Sequence, residues 1–331
     1  MLLRFKLFAM KSKTVAILYH MYANWKTRWR FRSGNIATTS GSTHSRFSVP
    51  ESLQYIDTVF LDYLTYSGTT LENLQRKRLL ELGPGDNLGV AMMFLVAGAE
   101  QVVCVDKFHA ARDSECERRI YSALRESLNE PEKQALDRVV RLDEGISVNP
   151  NRLLCIHGKG IEEAANTLEP ASFDLIFSRA VLEHVYNIDA SFSAMDRLLA
   201  PGGRMVHKID FRDHGMFSSI GFHPLTFLTI SDKVYSLMTR DSGKPNRKLI
   251  GHYRQRMNEL GYQSTILITR VLGSEEDIQP HKETITPGVD YTDSTMALLN
   301  EIRPALQEPF RNMPDEELII QGIFLIARKP G

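Results

Sequence analysis

A glycine-rich bend between an apolar run and a helical pattern constrains this chain more than any other feature. Residues 79–89 read Leu-Leu-Glu-Leu-Gly-Pro-Gly-Asp-Asn-Leu-Gly. The run Arg78–Gly83 predicts a buried strand, and residues 86–98 predict a helix that ends at Gly98. Gly83 and Gly85 let the backbone turn tightly and approach a ligand closely, while free amides at the helix start can hold an anionic or polar group.

Strand and helix patterns alternate after this bend. Further strands are predicted at Gln101–Asp106, Arg152–His157, Phe173–Ser178, Arg204–Asp210, Gln263–Arg270 and Leu318–Ala327. Helical patterns separate the first of these, at 109–129, after Ile161 and at 189–200. Because strands that alternate with helices form parallel sheets through right-handed crossovers, the sequence predicts an α/β, doubly wound fold.

An acidic residue ends the second strand. Asp106 follows Glu81 by 25 residues and stands where a carboxylate can bind both hydroxyls of a ribose. A glycine turn with an acid at the end of the next strand predicts recognition of an adenosine. A nicotinamide fingerprint would need a third glycine where Leu88 stands, which disfavours a dehydrogenase.

The motif Glu81-Leu82-Gly83-Pro84-Gly85 resembles the first signature of the class I S-adenosylmethionine-dependent methyltransferases. Asn87 stands at that family's third glycine position. Residues 173–185 are similar to the family's fourth-strand motif, and residues 198–206 to the turn before its fifth strand. The resemblance covers about residues 75–212. The members that the chain resembles have a Rossmann-like fold, are bacterial, and act on small molecules or in glycan pathways.

The resemblance implies a seven-stranded, mostly parallel sheet whose last strand is antiparallel, with S-adenosylmethionine as the cofactor. The methionine end is expected over Gly83, Pro84 and Gly85, with Glu81 beside them, and the ribose on Asp106. Lys107 and Phe108 are expected to flank the adenine, and Gly160 and Ile161 to line its far side. The segment Ser178, Arg179 and Ala180 is expected beneath the sulfonium.

Candidates for the catalytic base follow the fourth and fifth strands. These are Glu183, His184, Asp210 and His214. His is the usual base near neutral pH, and we favour His214; for His184 a packed structural role is the alternative. Some relatives bind a divalent ion through Glu-x-x-Glu-His, but Ala180 replaces the first glutamate here. We therefore expect that no metal is required.

Four regions are expected. They are a basic arm and linker (1–48), a cofactor-binding core with a lead-in helix (49–212), a helical cap over the acceptor (213–262) and a tail with the last two strands (263–331). The cap also supplies Lys244, Arg247 and Lys248, which could meet a phosphate or carboxylate of the acceptor or form a solvated loop.

Charge is distributed unevenly along the chain. Lys+Arg and Asp+Glu both total 40, yet residues 1–50 hold nine Lys and Arg and no Asp or Glu. This arm could contact an anionic membrane, direct the chain to an organelle, or dock on the acidic body of the same chain. No transmembrane helix or secretory signal is expected. Three cysteines without a Cys-x-x-Cys pair favour a reducing compartment, so a cytoplasmic location is expected, with peripheral membrane contact through residues 1–32 as an addition.

The sequence thus predicts a methyltransferase that O-methylates a small molecule, a sugar or a lipid-linked precursor. The alternatives are a noncatalytic protein that keeps the fold as a binding scaffold, and an RNA methyltransferase. No specific nucleic acid is expected as a partner, because the remainder of the chain carries 31 basic against 40 acidic residues.

Overall fold

The computed structural model describes residues 12–38, 41, 43–143 and 145–331. Its helices are α1 Lys13–Arg32, α2 Val49–Ser67, α3 Gly89–Val96, α4 Ser114–Ser127, α5 Glu130–Asp137, α6 Ile161–Ala164, α7 Ile188–Leu198, α8 Asp232–Thr239, α9 Ile250–Glu259, α10 Asp293–Ile302 and α11 Asp315–Ile319. Short 3-10 turns and two small two-stranded pairings complete the connections.

Seven strands form the central sheet. They are β1 Arg78–Leu82, β2 Gln101–Asp106, β3 Leu153–His157, β4 Phe173–Arg179, β5 Leu199–Asp210, β6 Gln263–Val271 and β7 Ile320–Arg328. Their spatial order is β6-β7-β5-β4-β1-β2-β3, and only β7 runs antiparallel to its two neighbours. The predicted α/β fold, with its antiparallel last strand, is confirmed. The order reverses between β1 and β4, and ligands bind at such a reversal in open parallel sheets.

Helices cover both faces of this sheet. On one face α2 and α3 bury Ile56, Phe60 and Phe94 against the strands. On the other face α7 and α9 bury Phe192 and Tyr253. The two cores exclude water from both sides of the parallel strands, which explains why those strands are apolar along their whole length.

Local hydrogen bonds set helix starts that periodicity alone misplaces. The side chain of Asp113 accepts hydrogen bonds from the amides of Glu115 and Cys116, so α4 starts at Ser114 instead of residue 109. The residues before it, His109–Ala110, pair with Ala37–Thr38 of the linker. Likewise α3 starts at Gly89, whose amide donates a hydrogen bond to Asn87 Oδ1 at 2.7 Å, while the Asp86 carboxylate accepts from the amides of His44 and Ser45 in the linker.

The fifth strand is longer than predicted. It starts at Leu199, and its pairing with β4 shifts register between Phe173 and Leu175, where the Pro201-Gly202-Gly203 segment is accommodated. Such a bulge lets a turn sequence remain within the strand. Residues 131–150, between α4 and β3, hold most of α5 and a short hairpin.

The basic helix α1 packs against α8. The His20 ring contacts the Met216 carbonyl at 3.1 Å, the Asn24 side chain accepts a hydrogen bond from the Asp241 amide at 2.7 Å, and Lys13 donates to Thr229. The described part of the arm therefore docks on its own chain. Arg4, Lys6 and Lys11 of the predicted arm lie outside the described residues. Among the described helices, none is both long and apolar enough to cross a bilayer.

Candidate active site

A cavity of about 300 Å³ opens at the carboxyl ends of β1 and β2. Its walls come from five sources: the glycine turn, the end of β2, the start of α6, the loop after β4 and the segment after α8. Of the predicted cofactor residues, it is lined by Gly83, Asp106, Lys107, Phe108, Gly160 and Ile161. The structure thus brings the glycine turn and Asp106 to one cavity, at the point where the strand order reverses.

Both glycines of the turn are required by their backbone conformation. Gly83 has φ +63° and Gly85 has φ +71°, in the region that side chains disfavour. A Cβ on Gly83 would lie 2.5 Å from the Val181 side chain, and one on Gly85 would lie 2.8 Å from the Gly41 carbonyl oxygen. The turn therefore presents bare backbone and is enclosed by the loop after β4 and by the linker.

Asp106 is fixed by the turn beside it. Its carboxylate accepts a hydrogen bond from the Phe108 amide at 2.9 Å. Burial raises the pKa of Asp106, opposed by hydrogen bonds from the amides of Phe108 and Gly85. The Phe108 ring lies between Gly243 of the cap and Phe31 of α1, whose ring centroid is 5.1 Å away. The Asp106 carboxylate and the Phe108 ring thus lie side by side in one wall of the cavity.

Several predicted cofactor residues lie outside the lining of this cavity. Glu81 is buried beneath it with Oε2 3.5 Å from the Cys104 sulfur, and burial raises the pKa of Glu81 to about 8. Ser178 bonds to His207 Nδ1 at 2.8 Å, and Arg179 forms an ion pair of 2.7 Å with Asp62 of α2. These contacts give the three side chains structural partners, and their assignment to the cofactor stays a prediction.

The other predicted cofactor residues lie in the glycine turn or at a second cavity. Pro84 and Gly85 are half-buried in the turn itself. Ala180 is exposed with φ +53° and lines a second, smaller cavity of about 130 Å³ together with Asp210 and Arg212. That cavity lies at the ends of β4 and β5, where the acceptor is expected.

Three of the predicted catalytic side chains meet between these two cavities. His214 Nε2 lies 3.8 Å from Glu183 Oε1, and the rings of His184 and His214 are 4.6 Å apart. His184 also lines the cofactor cavity. Glu183 Oε1 accepts a hydrogen bond from the Asp210 amide at 3.2 Å, which joins the loop after β4 to the end of β5.

Burial controls the protonation of this group. It lowers the pKa of His184 to about 3, helped by the nearby His214, and it lowers the pKa of His214, opposed by Asp210. Burial also raises the pKa of Glu183 well above its ordinary value. For Asp210 burial is outweighed by hydrogen bonds from Arg212, so its pKa is lowered. At neutral pH the two imidazoles are therefore neutral and Asp210 is ionised, while burial favours the protonated form of Glu183.

His214 is held in place by its neighbour Asp213. The buried Asp213 carboxylate accepts hydrogen bonds from the amides of Gly215, Phe217 and Ser218 at 2.7–2.9 Å, and from the Ser218 hydroxyl at 2.6 Å. His214 has φ +48°, a conformation that costs energy for a residue with a side chain. The Asp213 bonds stabilise this loop, so the imidazole projects from a rigid support.

The same three side chains could hold a metal ion. One ligand atom of each of Glu183, His184 and His214 lies within 4.8 Å of the others. Glu183 Oε2 and His184 Nδ1 have no hydrogen-bond partner among the described residues. Ala180 supplies no fourth ligand, and Glu183 Oε1 is engaged by the Asp210 amide. That no metal is required stays a prediction.

Sequence reasoning missed the contributions of the linker and of Asn246. Ile36 packs on Gly158, and the Gly41 carbonyl accepts a hydrogen bond from the Asp86 amide at 3.3 Å, so the linker covers the glycine turn. Asn246 donates from Nδ2 to the carbonyls of Leu182 and Val185, at 2.8 and 2.9 Å, and thereby holds the loop that carries His184. A linker rich in Ser, Thr and Gly carries no periodic signal that could reveal such contacts.

The basic cluster of the cap divides into two roles. Arg247 turns inward, donates to the Ile230 carbonyl at 2.6 Å and stacks over Tyr235 with its guanidinium carbon 3.9 Å from the ring centre. It is a structural residue of the cap. Lys244 is half-buried, and burial lowers its pKa, opposed by Asp213 and Tyr19. Its charge lowers the pKa of both His184 and His214, so Lys244 lies near these two rings.

Comparisons with known proteins give one family match and several solved structures with a similar fold. The family described as "Methyltransferase domain" matches residues 55–263. Solved structures with a similar fold include the CurJ carbon methyltransferase (12% identity, 96% of this chain and 67% of that one, TM-score 0.41). Another is phosphoethanolamine N-methyltransferase 2 of Haemonchus contortus (16% identity, 83% of this chain and 53% of that one, TM-score 0.42). A third is an S-adenosylmethionine-dependent methyltransferase of Mesorhizobium loti (13% identity, 83% and 100%, TM-score 0.40).

None of the curated proteins matches the chain. The family match spans the glycine turn, Asp106 and the loops after β4 and β5, and it covers more than half of the 331 residues. The chain therefore belongs to the methyltransferase domain family, as a class I methyltransferase that uses S-adenosylmethionine.

Proposed function

We propose that this methyltransferase acts on a hydroxyl oxygen of a small molecule, a sugar or a lipid-linked precursor. The observation that carries the proposal is the meeting of His214 with His184 and Glu183 between the two cavities. A hydroxyl acceptor benefits from a base that takes its proton during transfer. Imidazole is the side chain best suited to that task near neutral pH.

The residues of this chain fit the cofactor. The positive φ values of Gly83 and Gly85 leave bare backbone at the cavity, and Asp106 offers a carboxylate to the ribose hydroxyls. Phe108 and Ile161 add apolar surface for the adenine. S-Adenosylmethionine, when bound, supplies a methyl group that is already activated by a sulfonium. The protein then has to align the acceptor and exclude water.

The proposed role of His214 is that of general base. As the acceptor oxygen gains the methyl group, its O–H bond breaks and the proton passes to the neutral imidazole. Because burial lowers the pKa of His214, the imidazole is unprotonated at neutral pH and able to accept. The ionised Asp210 stabilises the imidazolium that forms, and the proton then passes to water.

The cap belongs to the same proposal as the cover of the acceptor site. Residues 213–262 contain the His214 loop, α8 and α9, and three of their residues, Arg240, Asp241 and Gly243, reach the cofactor cavity. Asn246 of the cap also holds the loop after β4. Substitutions of cap residues that do not line the cofactor cavity should change the choice of acceptor more than the affinity for the cofactor.

The test is transfer of a labelled methyl group. Purified protein is incubated with cell extract and a donor whose methyl carries ¹³C and deuterium, and labelled products are separated by mass. We expect one product whose methyl carbon is bonded to oxygen in its carbon NMR spectrum. Asp106→Ala is the control, which should weaken cofactor binding in calorimetry and abolish labelling. A methyl group found on nitrogen or carbon would overturn the hydroxyl acceptor and leave the methyltransferase assignment intact.

A further inference from the structure

An exposed apolar stripe runs along the outer face of α1. Trp25 and Trp29 are 61% and 62% exposed, Leu18 and Tyr22 are each 58% exposed, and Val15 is 37% exposed. These residues recur at spacings of three and four along the helix, so they lie in one line. Large apolar side chains in such a continuous exposed row mark an interaction surface, whereas single ones are ordinary.

The stripe faces away from the rest of the protein. At about 100° per residue, its five members span an arc of about 80°. The buried residues Ala16, His20 and Asn24 point to the opposite side, where α1 packs on α8. The outer row therefore does not contribute to the packing of α1 on the cap. Its apolar side chains remain available for contact with another surface.

Positive charge borders the stripe on both sides. Lys26 flanks one edge, and Arg28 and Arg32 flank the other, and all three are exposed. The first 50 residues contain no Asp or Glu, so no acid on this helix neutralises them. Lys13 lies on the other side of the helix, where it donates a hydrogen bond to Thr229.

We propose that the outer face of α1 lies on an anionic lipid bilayer, parallel to its surface. Trp and Tyr favour the region between headgroups and acyl chains, where an apolar ring and a polar edge are both accommodated. Lys and Arg beside them attract anionic headgroups. A second copy of this chain is a poorer occupant, because a symmetric contact would bring two sets of cations together without an acid between them.

The chain carries a built-in probe for this contact. Its only two tryptophans are Trp25 and Trp29, so its tryptophan emission reports on the stripe alone. Full-length protein is titrated with vesicles of phosphatidylcholine, with and without phosphatidylglycerol. We expect a blue-shifted emission and sedimentation with the anionic vesicles, and both should weaken as salt is raised. These measurements need no methyl acceptor, so they stand or fall independently of the proposed function.

Matched variants distinguish binding through the stripe from nonspecific adsorption through any exposed apolar side chain. Leu18→Ser with Tyr22→Ser keeps both tryptophans and should weaken vesicle partitioning about tenfold or more. Leu61→Ser removes an apolar side chain of equal exposure (57%) from α2 and should bind vesicles like the wild type. Thermal melting verifies that each variant folds.

Two outcomes would overturn the proposal. The first is an emission spectrum and sedimentation that vesicles leave unchanged. The second is a dimer in analytical ultracentrifugation that Leu18→Ser with Tyr22→Ser dissociates, without vesicle binding by the wild type, which would assign the stripe to a second copy.

Discussion

His214 joins an unusual backbone conformation to the chemistry of the site. Its φ of +48° persists because Asp213 ties the following amides together, and its side chain is 26% exposed beside the buried Glu183. A strained residue at the end of a parallel strand is a common feature of catalytic loops. In the proposed mechanism the imidazole is oriented before the acceptor arrives, which reduces the entropy lost on reaching the transition state.

Replacement of this imidazole should slow the reaction and leave cofactor binding intact. We expect His214→Asn to lower kcat about 10²–10⁴-fold, since a positioned base contributes that much. The Kd for S-adenosylmethionine should stay close to that of the wild type, measured by calorimetry. His252→Asn is the control, because His252 lies on α9 with a similar side-chain exposure of 22%.

The pH profile distinguishes a base from a residue that only packs. The base must be unprotonated, so the rate should fall as the pH decreases through a pKa below 6.5 and level off at neutral pH. His214→Asn should remove this step. Activity that is lost on dialysis against a chelator and restored by a divalent ion would contradict the base role and assign Glu183, His184 and His214 as ligands.

At the scale of elements, the site depends on how two loops are tied together. The loop after β4 carries Glu183 and His184, and the loop after β5 carries His214. The Asp210 amide bonds to Glu183 from one side, and Asn246 holds the Leu182 and Val185 carbonyls from the other. Asn246 is thus a positioning residue, which acts through the backbone it holds.

Removal of its two donors should displace His184 without changing side-chain size. In Asn246→Asp a carboxylate faces two carbonyl oxygens, and each lost bond should cost about 1–3 kcal/mol of stability. We expect a lower melting temperature together with a fall in kcat larger than the change in KM. Asn258→Asp makes the same substitution at an exposed position of α9 and should leave both quantities unchanged. An Asn246→Asp enzyme with normal kcat would refute the positioning role.

The sequence predicted the features that are encoded locally. A strand that ends in glycine and an acid that ends the next strand identified Gly83 and Asp106, because the ends of adjacent parallel strands must meet. Glu81 has a partner in Cys104 and Ser178 one in His207 across neighbouring strands, contacts that depend on register and on no local pattern. The approach of His214 to Glu183 depends on two loop conformations, so sequence supported His214 only as a candidate.

At the scale of the whole molecule, the arm and the cap support the cofactor cavity together. Asn24 of α1 accepts a hydrogen bond from the amide of Asp241, which lines that cavity with Arg240. Phe31 packs on Phe108 at the other end of α1. The sequence left open whether the arm docks on its own chain, directs the protein to an organelle or binds a membrane. A basic segment without acidic residues is typical of all three.

Loss of the hydrogen bond between Asn24 and Asp241 should therefore alter the wall of the cofactor cavity. We expect Asn24→Ala to lower the free energy of unfolding by about 1–3 kcal/mol and to weaken S-adenosylmethionine binding several-fold. Thr14→Ala, at an exposed position of the same helix, is the control. Calorimetry with the cofactor and chemical denaturation measure the two effects. A destabilised Asn24→Ala protein that binds the cofactor normally would show that α1 supports the cap alone.

In the linker that follows α1, Ala37–Thr38 pair with His109–Ala110 after β2, and Gly41 covers Gly85 of the glycine turn. A truncation that starts the chain at the lead-in helix would uncover the turn, the Phe108 ring and the α8 surface in one step. Such a shortened protein would change lipid binding, the stability of the cap and the affinity for a nucleoside all at once. Substitutions on opposite sides of α1 can separate the contributions of the helix to these three properties.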